Sequence, residues 1–146
     1  MRADTSTSPV SRKEMLISLG GLIRTCGSEE FPSLFRQFFA EVCRAPAFSV
    51  IAFQKGAVPV LLASSGVFND EGHARYRGGL YLLDPYYELF NKEDFSGFAK
   101  WEDIAPDDYE ETIGPYWDYF SEWDFLDEAG YIVPLSNQTS LHLSLC

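Results

Sequence analysis

Residues 81 to 131 hold 15 of the chain's 23 aromatic side chains together with many carboxylates, and only two basic residues, Lys92 and Lys100. Tyrosine and tryptophan join a broad apolar surface to a hydrogen-bonding tip, so such a concentration can line a pocket that holds a small molecule in one orientation. The candidate wall is Tyr81, Tyr86, Tyr87, Trp101, Trp117 and Tyr131, with Asp84 as its polar anchor. Ring faces beside carboxylates suit an ammonium group, with cation–π attraction of about 0.5 to 2 kcal/mol per ring. Asp84 could equally accept an amide N–H from a neutral amphiphile. The competing reading of the rings is plain core packing, and of Asp84 the cap of a helix. Both roles of Asp84 can coexist, because a carboxylate has two oxygens.

Catalytic constellations are weak. His73 and His142 are the two histidines, and no HExxH, GxSxG, Walker-type or GxGxxG pattern occurs. Ser64, Ser65, Asp70 and His73 hold the ingredients of a hydrolase triad, but residues so close in one loop seldom reach triad geometry. Asp118 and Glu122 sit one helical turn apart and read as an exposed acidic face, because acid–base work needs environments that separate two pKa values. No catalytic residue, cofactor or metal site is assigned, and the chain is read as a non-enzyme. Cys26, Cys43 and Cys146 form neither an even set nor a CxxC pair, which points to reduced thiols in the cytoplasm. A net charge of -11 repels the phosphate backbone and argues against direct nucleic-acid binding. No run approaches the roughly 20 apolar residues that span a bilayer.

The elements that must position these residues follow from pattern. Residues 1–10, rich in Ser, Thr and Pro, read as a flexible leader, and 11–146 as one domain. Ser11 and Glu14 form a capping box at the start of a helix that carries Met15, Leu19, Leu22, Ile23 and Cys26 on one face and ends at Gly27. A second helix begins near Ser28 and buries Phe31, Leu34, Phe35, Phe38 and Val42 before Pro46. Residues 48–53 and 58–62 form a hairpin about Lys55-Gly56-Ala57, with Pro59 placing its strand at a sheet edge. The four glycines of residues 66–79 suggest a long functional loop. Asp84-Pro85 starts a short helix, residues 97–101 a brief strand, and 116–125 another helix. Residues 131–135 and 141–145 close the domain as a hairpin in which Leu141, Leu143 and Leu145 face inward and His142 and Ser144 outward. The sum is an α/β (α+β) fold, helices packed on an antiparallel sheet.

Three segments carry a family resemblance: Tyr81-Leu-Leu-Asp-Pro-Tyr-Tyr87, Trp101-Glu-Asp-Ile-Ala-Pro106, and Asp127-Glu-Ala-Gly-Tyr-Ile-Val-Pro-Leu135 with Leu141-His-Leu-Ser-Leu145. Over roughly residues 12–146 the chain resembles the N-terminal sensor region of LuxR-type bacterial transcription regulators. The resemblance implies a GAF/PAS-like α/β/α sandwich with a central antiparallel sheet that encloses a small-molecule ligand. It also implies a homodimer, a cytoplasmic protein without membrane contact, and DNA contacted only through a helix-turn-helix domain expected beyond residue 146. In quorum-sensing members an Asp-Pro pair follows a Trp and a Tyr that help form the pocket, and its Asp binds the ligand's amide. Asp84-Pro85 matches that pair; no Trp precedes it, and Tyr76 and Tyr81 stand nearby.

Overall fold

The computed structural model describes residues 10–43, 45, 47–65, 69–93, 95–122 and 127–146. They form two compact units that divide between residues 44 and 45.

The first unit is helical. Helix α1 (Arg12–Arg24) begins at the capping box: Glu14 N donates to Ser11 Oγ at 3.3 Å and Ser11 N to Glu14 Oε2 at 2.9 Å. It ends at Thr25, whose hydroxyl donates to Leu22 O, and Gly27 takes the left-handed φ of 82° that allows the chain to turn. Helix α2 (Phe31–Phe38) starts three residues after Ser28, with Pro32 in its first turn, and continues into a single π-helical turn, Phe39–Cys43. Phe31, Phe35 and Phe39 stack along one face at 5.5 and 4.6 Å.

The second unit is a five-stranded antiparallel sheet with short helices, as the α+β reading requires. Its strands are β1 (Phe48–Gln54), β2 (Val60–Ser65), β3 (Gly97–Lys100), β4 (Ala129–Pro134) and β5 (Thr139–Leu145), in the order β2-β1-β5-β4-β3. Pro59 precedes β2, which lies at the sheet edge as a proline demands. Between β2 and β3 come α3 (Asp70–Arg77), a 3-10 turn (Leu80–Leu83) and α4 (Pro85–Glu93). Between β3 and β4 come α5 (Trp101–Ile104), α6 (Tyr109–Thr112) and α7 (Gly114–Ser121).

Two readings need correction. Residues 70–77 of the expected loop are the helix α3, capped by Asn69, whose side chain accepts from Gly72 N at 2.8 Å. Asp70 and Glu71 favour its positive end, and these local signals outweigh the glycines. Residues 66–68 of that loop, and residues 123–125 of the last expected helix, lie outside the described residues.

The second correction concerns β5. It sits in the middle of the sheet, with His142 paired to Ile51 on β1 and to Ile132 on β4. Ser140, His142 and Ser144 are buried on its inner face, and Leu141, Leu143 and Leu145 are half-buried on the other. His142, expected to face solvent, is 1% exposed. Ile51, Phe53, Gly130, Ile132 and Ala99 share its face, so the polar residues of β5 belong to the layer that carries the core.

Gly130 fits that layer because nothing larger can. A Cβ there would stand 2.6 Å from His142 Nε2 and closer still to the Tyr86 ring. Overpacking of this kind costs about 1–3 kcal/mol, so Gly130→Ala should lower stability by that amount. Gly114→Ala, at a helical glycine with nothing within 4 Å, should be neutral or stabilising. Urea unfolding of the two variants checks this, and equal effects would refute the packing argument.

Candidate ligand-binding site

Burial of the apolar side of α4 on the inner sheet face creates the layer in which the candidate residues meet. Tyr86 is fully buried and stacks on His142 with centroids 4.5 Å apart. Its hydroxyl is shared between the carbonyls of Ala99 and Glu128, both at 3.2 Å. Tyr87 and Phe90 follow on α4 and pack on Phe53 of β1 at 5.3 and 5.5 Å. Trp101, where β3 runs into α5, lies nearly parallel to Tyr116 at 5.8 Å and to Phe120 at 5.6 Å, both from α7. Trp117 meets Trp101 at 5.9 Å and Tyr109 edge-on at 4.9 Å. Tyr81, from the 3-10 turn, is half-buried edge-on to Tyr87 at 5.0 Å.

Six of the seven residues singled out in the sequence therefore lie in one cluster: Tyr81, Asp84, Tyr86, Tyr87, Trp101 and Trp117. Tyr131 lies elsewhere. It is 48% exposed on the opposite face of β4, between Phe98 of β3 and Leu143 of β5, because its neighbours Gly130 and Ile132 take the inner phase.

Asp84 is 2% exposed and caps the helix that it was expected to start. Its Oδ1 caps α4 by accepting from Tyr86 N at 2.8 Å, and its Oδ2 accepts from the Tyr76 hydroxyl at 2.6 Å. Burial pushes its carboxyl up to about 6, against those hydrogen bonds, which favour the charged form. Tyr76, brought in by α3, is itself buried, and its phenol stays neutral far above its ordinary range through burial and the nearby carboxylate.

Sequence reasoning missed the second half of the polar layer. Glu128, 3% exposed, accepts from Ser144 Oγ at 2.5 Å through Oε1, while Oε2 has no hydrogen-bond partner among the described residues. Burial first, and the Asp84 charge second, raise its carboxyl to about 8. Neither ring nitrogen of His142 has a hydrogen-bond partner among the described residues, Nε2 lies 4.0 Å from Glu128 Oε1, and burial lowers the imidazole to about 3. At neutral pH both groups are thus uncharged. The period-2 phase of β5 linked His142 to Ser144, but only the central position of the strand shows that this phase is the inner one.

Ring pairs among the described residues link this cluster at centroid distances of 4.5 to 6.5 Å. Clefts bounded by described residues lie beside this cluster: one of about 450 Å³ at the hairpin ends reaches it at Phe90, and one of about 560 Å³ lies between β2 and α3. Asp70 and His73 are on α3 and border the second. Among the described residues no group of three or more His, Cys, Asp or Glu could hold a metal ion, and no helix is long and apolar enough to cross a membrane.

No protein-family model and no curated protein matches the chain. Among solved structures it is similar to the VqsR LBD domain from Pseudomonas aeruginosa, at 29% identity and a TM-score of 0.74 over 89% of this chain and 77% of that one. It also matches SdiA in complex with octanoyl-rac-glycerol (18% identity, TM-score 0.61, 93% of this chain) and Escherichia coli SdiA (19%, 0.60, 89%). The chain spans about half of those two, 55% and 54%. These neighbours carry ligand-binding domains of LuxR-type regulators, the kind of domain the sequence motifs resemble.

The buried carboxyls set a pH dependence. A carboxyl whose folded pKa is raised keeps a proton that the unfolded chain releases, so its stabilising effect is complete below the unfolded value of 4.5 for Glu128 and is lost as pH rises through about 8. Asp84 acts in the same sense but has finished by about 6. His142, lowered to about 3, opposes both only below its unfolded 6.5. Between pH 6.5 and 8.5 the unfolding free energy should therefore fall with rising pH, by at most about 1.4 kcal/mol per unit, and the thermal midpoint with it. In Glu128→Gln that slope should vanish, and a variant as pH-sensitive as the parent would show that Glu128 is not its source.

Proposed function

We propose that the chain is the small-molecule-sensing domain of a cytoplasmic helix-turn-helix transcription regulator of the LuxR type. Its ligand is small and amphipathic or amine-bearing, and its partners are a second copy of the chain and, through a further domain, DNA. The observation that supports this most directly is a buried carboxylate, Asp84, set at the amino end of α4 inside a layer of aromatic rings. The likeness to the VqsR LBD domain supports the same reading.

The carboxylate has one oxygen committed to the backbone and one to a side chain that can leave. Tyr76 donates to Oδ2 where an amide N–H, hydroxyl or ammonium of a ligand would donate instead. Exchange of one donor for another keeps Asp84 satisfied, while Tyr81, Tyr87, Trp101 and Trp117 supply apolar surface for the ligand's body. A ligand admitted between these rings would shift the layer toward a more open arrangement only by its differential affinity for the two.

A second reading rests on the same closed packing. Both oxygens of Asp84 have internal partners and the rings interlock, as they would in a domain that acts through dimerisation or protein contact without a ligand. The two readings diverge in one experiment. A thermal-shift screen of octanoyl glycerol, acyl-homoserine lactones and alkyl amines should find a compound that, at about a hundredfold its Kd, stabilises the chain by about 2.7 kcal/mol. Tyr76→Phe, which removes the internal competitor, should bind that compound more tightly, and Asp84→Asn more weakly. No shift with any of these compounds, in the parent and in Tyr76→Phe alike, would reject the sensor reading in favour of the ligand-free one.

A further inference from the structure

Two buried polar side chains of the inner layer, Glu128 and His142, take no part in the Asp84 anchor. The His142 imidazole, 1% exposed, stacks on Tyr86 at 4.5 Å and on Phe53 at 5.2 Å, inclined by 25° and 28°. Hydrogen bonds to an imidazole lie in the plane of its ring, so rings stacked on its faces offer its nitrogens nothing. Neither Nδ1 nor Nε2 has a hydrogen-bond partner among the described residues. Glu128, 3% exposed, stands beside it with Oε1 at 2.5 Å from Ser144 Oγ and 4.0 Å from His142 Nε2, the latter too far for a hydrogen bond. Its Oε2 has no partner among the described residues either.

Three such atoms on two neighbouring side chains carry a cost that apolar residues of similar shape would avoid. Their place in the layer relates them to Asp84. Asp84 accepts from the backbone N of Tyr86, and the hydroxyl of the same Tyr86 donates to the Glu128 carbonyl at 3.2 Å, so the two polar groups stand at opposite ends of one side chain. A molecule laid along Tyr86 with a donor at Asp84 brings its other end to Glu128 and His142. The chemistry of that end follows from counting donors. A neutral imidazole holds one N–H and one bare nitrogen, so a group that only donates, or only accepts, leaves one of them unpaired. A carboxylate would in addition stand against the Glu128 carboxyl. A primary amide or a hydroxyl is uncharged and both donates and accepts, and burial, which keeps the imidazole neutral, favours such a partner.

We infer that Glu128 and His142 form a second polar anchor of the ring layer, which takes the uncharged amide or hydroxyl end of a two-ended amphiphile whose other end donates to Asp84. The inference rests on the sensing function proposed above and narrows its ligand to molecules that are polar at both ends and apolar between.

Calorimetric titration of the chain with 6-aminohexanamide, hexylamine and 6-aminohexanoate tests it. The amide should bind about tenfold more tightly than hexylamine, the range expected when buried polar atoms gain a partner, and 6-aminohexanoate more weakly than the amide. His142→Phe keeps a ring against Tyr86 and Phe53 but removes both nitrogens, and should abolish the amide's advantage over hexylamine. Glu128→Leu should reduce it as well, and carries the test if His142→Phe does not fold. Asp84→Asn should weaken the amide and hexylamine alike and leave their ratio unchanged, because it acts at the other end. Equal binding of the amide and hexylamine would mean that these buried atoms hold water alone, and overturns the inference. So does 6-aminohexanoate binding as tightly as the amide, or a full amide advantage retained in the folded variants. If none of the three compounds binds at about 10 mM while another compound of the thermal-shift screen does, the second anchor is refuted and the sensing function stands. If that screen is empty too, both fall.

Discussion

The inner layer of the sheet depends on one ring with a single place to lie. Tyr86 rests against His142 of β5 and over the bare Cα of Gly130 on β4, and its hydroxyl reaches two carbonyls, that of Ala99 within β3 and that of Glu128 just before β4. Burial of a ring of this size contributes about 1.5–3 kcal/mol, whereas each neutral hydrogen bond contributes about 0.5–1.5. Packing therefore holds α4 on the sheet, and the hydroxyl sets its rotation. That rotation places Asp84 at the near end of α4, under Tyr76, and Phe90 at the far end, against Phe53.

Once α4 is set, the electrostatics follow. Two carboxyls, Asp84 and Glu128, are buried with no lysine or arginine among their hydrogen-bond or ion-pair partners in the described residues. The ion pair of Arg75 with Glu122 lies at the surface, with side chains 41% and 52% exposed, and such pairs contribute about 0–1 kcal/mol. Burial without a cation is relieved by hydrogen bonds where donors exist and by protonation where they do not. Asp84, with two donors, is raised to about 6, and Glu128, with one, to about 8. At neutral pH the layer thus keeps one buried charge, on Asp84, while Glu128 and His142 are neutral.

Much of this was legible in the residues, because local signals with a single physical meaning held. The capping box of Ser11 and Glu14, the Asp84-Pro85 helix start and the edge strand after Pro59 all appear where their chemistry put them. What failed was the assignment of faces. A period of two says that Leu141, Leu143 and Leu145 share one side and Ser140, His142 and Ser144 the other, but not which side meets the core, since that depends on the partners of β5. The pairing of β5 with β1 joins the first and last strands of the sheet unit, and no local pattern announces it. Tyr131 went astray for the same reason, and Glu128 escaped notice because an isolated carboxylate beside a strand looks like surface. The glycines of residues 66–79 masked α3 because Gly72, inside the helix, reads as a breaker until the Asn69 cap is counted.

The groups that reasoning missed also bear on how such a layer could switch. With the rings closed, Asp84 is fully satisfied, while Glu128 Oε2 and both nitrogens of His142 have no hydrogen-bond partner among the described residues. A buried polar group without a partner costs about 1–3 kcal/mol, so the closed packing carries a penalty that any arrangement admitting water or a polar ligand beside Tyr86 would remove. On the proposed sensing function that penalty narrows the gap between closed and open forms. A gap of a few kcal/mol lies within reach of one small molecule's differential affinity, where a fully satisfied aromatic core would resist it. The same side chain that locks α4 in place therefore also covers the polar groups that favour its release.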